Sequence, residues 1–174
     1  MTKIIGIGDF AVSFSEEDII KTYALGSCVA LVVYCPSLKG LGMAHIALPD
    51  STITGPGSHG YKEAYFADKA VPLLFDKVCG GLSRYRKEYR VSIFGGALSM
   101  NKNDIFNVGL KNIVAIEEIL VRNNIVFDAT NTGGYYSRTV EADVRTGTPI
   151  ISSCLLNMSN PNRYLCSANQ KQII

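Results

Sequence analysis

Two hydrophobic rhythms organise the chain. Val29 to Tyr34 reads Val-Ala-Leu-Val-Val-Tyr, a continuous and partly β-branched run that predicts a buried strand. Pro36, Ser37 and Gly40 punctuate a turn, and Leu41 to Leu48 follows as a second apolar strand, giving a hairpin. Shorter runs predict strands at Lys3–Gly8, Arg90–Phe94, Ile125–Asn131, Tyr135–Val144 and Pro149–Leu156, with turns at Gly133-Gly134 and Thr146-Gly147. The second rhythm is helical. Ala67, Ala70, Val71, Leu74 and Val78 recur on one side of a helix expected over Lys62–Cys79, with Pro72 as a kink or restart. Ile113, Ile116 and Leu120 stripe a second helix, Val108–Asn123, with Asn107 as its expected cap. The pattern is that of one α+β domain over residues 1–174, with mostly antiparallel strands, two main helices and a polar tail over residues 157–174.

Composition narrows the function. The 174 residues are 47% hydrophobic and 18% charged, a foldable balance. A formal charge of +2 gives no reason to expect nucleic acid or an anionic membrane as partner. The local cluster of Arg84, Arg86, Lys87 and Arg90 around Tyr85 and Tyr89 reads as a solvated face. The opening residues show no basic stretch followed by an apolar core, so no secretory signal is expected there, and the longest apolar run, Cys28 to Cys35, is too short to insert in a bilayer. Five cysteines without a C-x-x-C spacing, beside only two histidines, predict reduced thiols in a cytoplasmic protein, with no metal and no organic cofactor. Gly55-Pro56-Gly57 with Gly60 lacks the Lys-Ser/Thr of a phosphate loop, and Gly6 with Gly8 forms no dinucleotide fingerprint.

Candidate chemistry concentrates on the hairpin. Cys35, Cys79, Cys154 and Cys166 read as buried fillers, and His59 as an exposed loop histidine. Cys28 differs, because the hairpin register couples it to His45. If Pro36-Ser37 alone form the turn, Cys28 lies opposite His45; if Pro36 to Lys39 do, it lies opposite Ala47 and diagonal to His45. In both registers the two side chains share a face, with backbones about 5 to 8 Å apart. A turn of three or five residues would separate them. A thiol beside an imidazole is the pairing that nucleophilic catalysis needs. Gly26 and Ser27, small residues at the mouth of the strand, would let a substrate approach and leave peptide N–H groups for an oxyanion. Thr22, six residues before the cysteine, has a hydroxyl able to orient the imidazole, although threonine before a strand is more often a turn residue. The loop Pro49–Gly60 leaves the His45 strand and is expected to border the site.

These residues carry a family resemblance. Thr22-Tyr-Ala-Leu-Gly-Ser-Cys28-Val, Gly42-Met-Ala-His45-Ile-Ala-Leu-Pro49 and Phe94-Gly-Gly-Ala97, followed by Asn107-Val-Gly-Leu-Lys-Asn112 and Thr132-Gly-Gly134 with Arg138, resemble the chemoreceptor glutamine deamidases of the CheD family. The resemblance spans about Lys3 to Ile151. It implies layered, packed β-sheets with helices outside, similar to the cysteine hydrolase domain of cytotoxic necrotizing factor toxins. It implies a Cys–His–Thr triad at Cys28, His45 and Thr22. The implied substrates are glutamines on the cytoplasmic helices of methyl-accepting chemotaxis receptors, converted to glutamate with release of ammonia. The implied second partner is a CheC-type phosphatase. Two other readings stay open from sequence: a transglutaminase, in which an amine resolves the thioester, and a binding module that regulates the phosphatase.

Overall fold

A computed structural model describes residues 1–54, 60–82, 88–99, 105–156 and 172–173. The His59 and Cys166 positions, most of the basic cluster, the centre of the Pro49–Gly60 loop and most of the tail lie outside these residues.

The strands are β1 (Thr2–Ile5), β2 (Phe10–Ser13), β3 (Ile19–Leu25), β4 (Val29–Cys35), β5 (Gly40–Ile46), β6 (Arg90–Gly95), β7 (Asp128–Thr132), β8 (Tyr136–Asp143), β9 (Pro149–Leu155) and β10 (Gln172–Ile173); the helices are α1 (Ala67–Cys79) and α2 (Val108–Arg122). Among the described residues they form two five-stranded sheets, ordered β1-β3-β8-β9-β10 and β2-β5-β4-β6-β7. Among these strands, β1–β3 and β6–β7 are the parallel pairs. The expected α+β class, mostly antiparallel and layered, is what the structure has.

Strand β4 explains the layering. All seven of its residues are buried, so it has an apolar partner on each face. Ala30, Val32 and Tyr34 face the other sheet, packing with Leu41, Met43, Ile20, Leu25, Phe94, Val140 and Ala142. Val29, Leu31, Val33 and Cys35 face the helices, packing with Val71, Leu74, Phe75, Ile116 and Leu120. The molecule is therefore sheet on sheet, with α1 and α2 covering the outer face of the second sheet. Gly42 permits the close approach of α1, because a Cβ there would meet the side chains of Leu74 and Val78.

Several expectations need correction. Strands β2 and β3 were not evident in the hydrophobic pattern. Helix α1 starts at Ala67 rather than Lys62, since the Tyr65 carbonyl accepts from the N–H groups of Ala47 and Leu48 and holds that segment extended. Asn107 occupies the N-cap position of α2 in a left-handed conformation and makes no side-chain capping bond. Gln172–Ile173, within the expected surface tail, pairs antiparallel with Ile150–Ile151. Cys154 is disulfide-bonded, against the expectation of reduced thiols, whereas Cys28, Cys35 and Cys79 are free.

Candidate active site

The hairpin takes the longer of the two favoured turns. Cys35 pairs with Gly40 and Ala30 with His45, so Pro36 to Lys39 form the connection. A short 3-10 turn, Pro36–Leu38, closes on Lys39 in the left-handed region, with Lys39 N–H donating to the Pro36 carbonyl. This register puts His45 diagonal to Cys28, on the face toward the other sheet. Cys28 packs there at the edge of the inter-sheet core, half-buried.

Thr22 reaches His45 from the other sheet. It lies on β3, paired with Ile5 and Val140, and is wholly buried. Its Oγ1 is 2.8 Å from His45 Nδ1 and donates to the Ile5 carbonyl at 3.0 Å. A hydroxyl carries one proton. That proton is committed to Ile5, so Oγ1 accepts from Nδ1–H. The imidazole is thereby held in the tautomer whose Nε2 bears the free lone pair. Nε2 is buried and has no hydrogen-bond partner among the described residues. Thr22 thus ties His45 across the two sheets, and Cys28 makes no hydrogen bond to Nε2.

Burial disfavours the charged form of both groups. Burial pushes the His45 imidazole down to about 4, and nearby Lys62 acts in the same direction, opposed by Asp9. Burial also pushes the Cys28 thiol above the ordinary cysteine value. Asp9, which no motif singled out, lies near enough to act on His45, but its carboxylate is engaged by Lys62 at 2.8 Å. The backbone of His45 is fixed by the Gly8 N–H on its carbonyl and by its own N–H on Asp9 O.

The cysteine turn is built by irregularity. The β3–β8 register shifts between Thr22 and Leu25, and Ala24 adopts φ 55°. This bulge turns the chain out of β3 toward Gly26-Ser27-Cys28. The turn's three carbonyls are then tied back into the body. Gly26 O accepts from Ala97 N, Cys28 O from Gly96 N, both at 2.8 Å, and Ser27 O from Asn112 Nδ2 at 3.0 Å. Gly95 is required for this contact: its φ is +101°, and a Cβ would collide with the Cys28 carbonyl. The Gly133-Gly134 turn joins the same assembly, with Gly133 N donating to Gly95 O and Leu98 N to Gly134 O, while buried Arg138 donates to Gly133 O. Gly26 has open space where a side chain would stand. Beside the turn lies a cavity of about 260 Å³ lined by Ser27, Ala97, Leu98, Ser99, Asn107 and Gly109 among others.

The structure thus joins Thr22 to His45 and places Cys28 on the same face. It brings Asn112 to the cysteine turn, a residue the sequence reading quoted without a role. In the described part of the Pro49–Gly60 loop, Ser51 is held by the Asp68 carboxylate of α1, and Pro49 and Asp50 line a groove with α2.

Comparison with known proteins gives a consistent picture. The sequence model described as CheD chemotactic sensory transduction matches residues 47–153, a span that begins two positions after His45. A probable chemoreceptor glutamine deamidase CheD of Syntrophotalea carbinolica is 43% identical over 92% of this chain and 94% of its own length. A probable chemoreceptor glutamine deamidase CheD 1 of Syntrophus aciditrophicus is 37% identical over 86% of this chain and 92% of its own. The chemoreceptor glutamine deamidase CheD of Thermotoga maritima is 37% identical over 84% of this chain and 88% of its own.

Proposed function

The chain belongs to the CheD family, and from that premise we propose that it hydrolyses glutamine side-chain amides of chemoreceptors, with Cys28 as nucleophile, His45 as base and Thr22 as orienter. The observation that carries the chemistry is the Thr22–His45 pair. With the threonine proton spent on Ile5 and Nδ1 protonated, Nε2 is left as a proton acceptor on the face that Cys28 shares.

The reaction proceeds by general-base catalysis from a neutral pair. His45 Nε2 takes the Cys28 proton as sulfur attacks the carboxamide carbon. The oxyanion is met by backbone N–H groups of the Gly26–Cys28 turn. The imidazolium returns its proton to nitrogen, ammonia leaves, and a thioester remains. Water, deprotonated by His45, attacks the thioester; glutamate and the Cys28 thiol are released. The reaction requires Cys28 and His45 Nε2 within hydrogen-bond reach in the substrate complex, where catalytic hydrogen bonds commonly tighten.

The substrate class comes from the relatives, whose names specify chemoreceptors. Exposed Ile105 and Phe106, which precede the cavity-lining Asn107 to Gly109, and exposed Leu110 and Val114, which line the groove with Pro49 and Asp50, offer apolar surface for a helical partner: the receptor bundle, or a CheC-type phosphatase competing for the same surface. A substrate glutamine on a cytoplasmic receptor helix supports a cytoplasmic location for the proposed reaction. No helix among the described residues is long and apolar enough to cross a membrane. Incubation with a purified receptor cytoplasmic fragment should release ammonia in step with new glutamate on the fragment. A receptor whose glutamine content stays unchanged refutes the assignment.

A further inference from the structure

Asn112 lies on the buried side of α2 with no solvent exposure. Its Nδ2 donates to Ser27 O at 3.0 Å and to Ala47 O at 2.9 Å, while its Oδ1 has no partner among the described residues. Two carbonyls facing one end of the amide require that end to be the NH2, because an oxygen there would oppose two oxygens. An unpaired buried carbonyl is costly. The arrangement therefore gives up one acceptor to hold two backbone carbonyls from different parts of the site. Ala47 follows His45 by two residues, and Ser27 precedes Cys28. Gly109, one turn earlier on α2, makes this reach possible. A Cβ there would collide with the carbonyls of Ala97 and Gly96, so glycine lets the helix sit directly on the segment after β6.

The Ser27 carbonyl belongs to the same peptide group as the Cys28 N–H. That peptide is trans, as are all the described peptide bonds, so its C=O and N–H point in opposite directions. Drawing Ser27 O toward α2 aims Cys28 N–H away from α2. The Cys28 side chain also packs away from α2, at the edge of the inter-sheet core. The geometry points to Asn112 as the positioning residue of the oxyanion site, fixing the peptide whose N–H receives the charge that develops when Cys28 is acylated. The two neighbouring carbonyls, of Gly26 and Cys28, are held by backbone donors; Asn112 is the side chain that completes the set. This deepens the proposed function and rests on Cys28 being the acylated nucleophile.

Two reactions of Cys28 separate this role from simple support. Iodoacetamide forms an S–C bond with loss of iodide and develops no oxyanion. p-Nitrophenyl acetate forms a thioester with loss of p-nitrophenolate and passes through a tetrahedral oxyanion. Asn112→Ala and Asn112→Asp should lower the acylation rate about 10²-fold while alkylation stays within about two-fold of the wild type. Equal loss in both reactions, or no loss in acylation, overturns the assignment. Should both variants fail to fold, the wild-type protein decides, crystallised with a small aliphatic aldehyde added to Cys28 as a hemithioacetal. Its oxygen should stand about 3 Å from Cys28 N; an oxygen directed elsewhere overturns the role. A wild type acylated by the ester that leaves receptor glutamines unchanged would refute the deamidase reading and leave the Asn112 role standing, so the two failures are distinguishable.

Discussion

The decisive atom is the single proton of the Thr22 hydroxyl. Because Ile5 O accepts it, His45 is held as the Nδ1–H tautomer, and the imidazole is oriented without a carboxylate. Asp9, the acid that acts on His45 among the described residues, is occupied by Lys62. A hydroxyl stabilises imidazolium less than aspartate would, which matches a site that rests neutral. His45→Ala should lower deamidation by about 10² to 10⁴. Thr22→Val should lose less, since Thr22 orients the proton acceptor without receiving the proton; a larger loss than in His45→Ala would reverse these roles. Resting neutrality has a second consequence. Iodoacetamide labelling of Cys28 should keep rising as pH passes about 8.5, the ordinary cysteine value, because burial raises its thiol above it. A plateau near pH 6 would reveal a standing thiolate–imidazolium pair. Cys28 should still label before Cys35 and Cys79, which are buried, the Cys79 thiol being pushed up to about 12.

Elements place these residues, and they were unevenly legible. The β4–β5 hairpin could be read because its strands are apolar on both faces and its turn carries Pro36, Ser37 and Gly40. Register was narrowed to two choices by turn length, and both kept Cys28 and His45 on one face. Strand β3 escapes the hydrophobic pattern because its inward positions include Thr22, a polar residue at a place that favours an apolar one. It is buried because its hydroxyl has partners on both sides. The start of α1 was placed too early because propensity says nothing of the Tyr65 carbonyl, claimed by Ala47 and Leu48. Asn112 was invisible as a site residue, since its partners are backbone carbonyls 85 and 65 positions away. The spacing Gly109-x-x-Asn112 was its one local sign: a close helix approach followed one turn later by a buried amide. The Gly95 contact is also testable. Gly95→Ala forces a side chain onto φ +101° and against the Cys28 carbonyl. It should cost about 1 to 3 kcal/mol of stability and lower activity in the folded fraction. Chemical denaturation at wild-type midpoint would show that this approach is not needed.

At the scale of the molecule, the proposed site sits on the seam between the two sheets. Thr22 comes from one sheet, His45 and the cysteine turn from the other, and α2 secures the turn from behind. The Thr22–His45 pairing therefore depends on the sheets staying packed. Acid should test that dependence through His45. Its pKa is depressed from 6.5 to about 4, so between those values the unfolded chain binds the proton that the folded chain refuses. Stability from this group is full above about pH 6.5 and is lost as pH falls toward about 4, by up to about 3 kcal/mol. His45→Gln should flatten that part of the stability–pH curve, and an unchanged slope would place the acid sensitivity elsewhere. The central claim, that Cys28 converts receptor glutamine to glutamate, is tested most directly by site-resolved mass spectrometry. A receptor fragment is incubated with the wild type and with folded Cys28→Ala. Selected glutamine peptides should gain about 1 Da with the wild type and none with the variant, as covalent catalysis by this thiol requires. The same gain with Cys28→Ala at near wild-type rate would contradict the account.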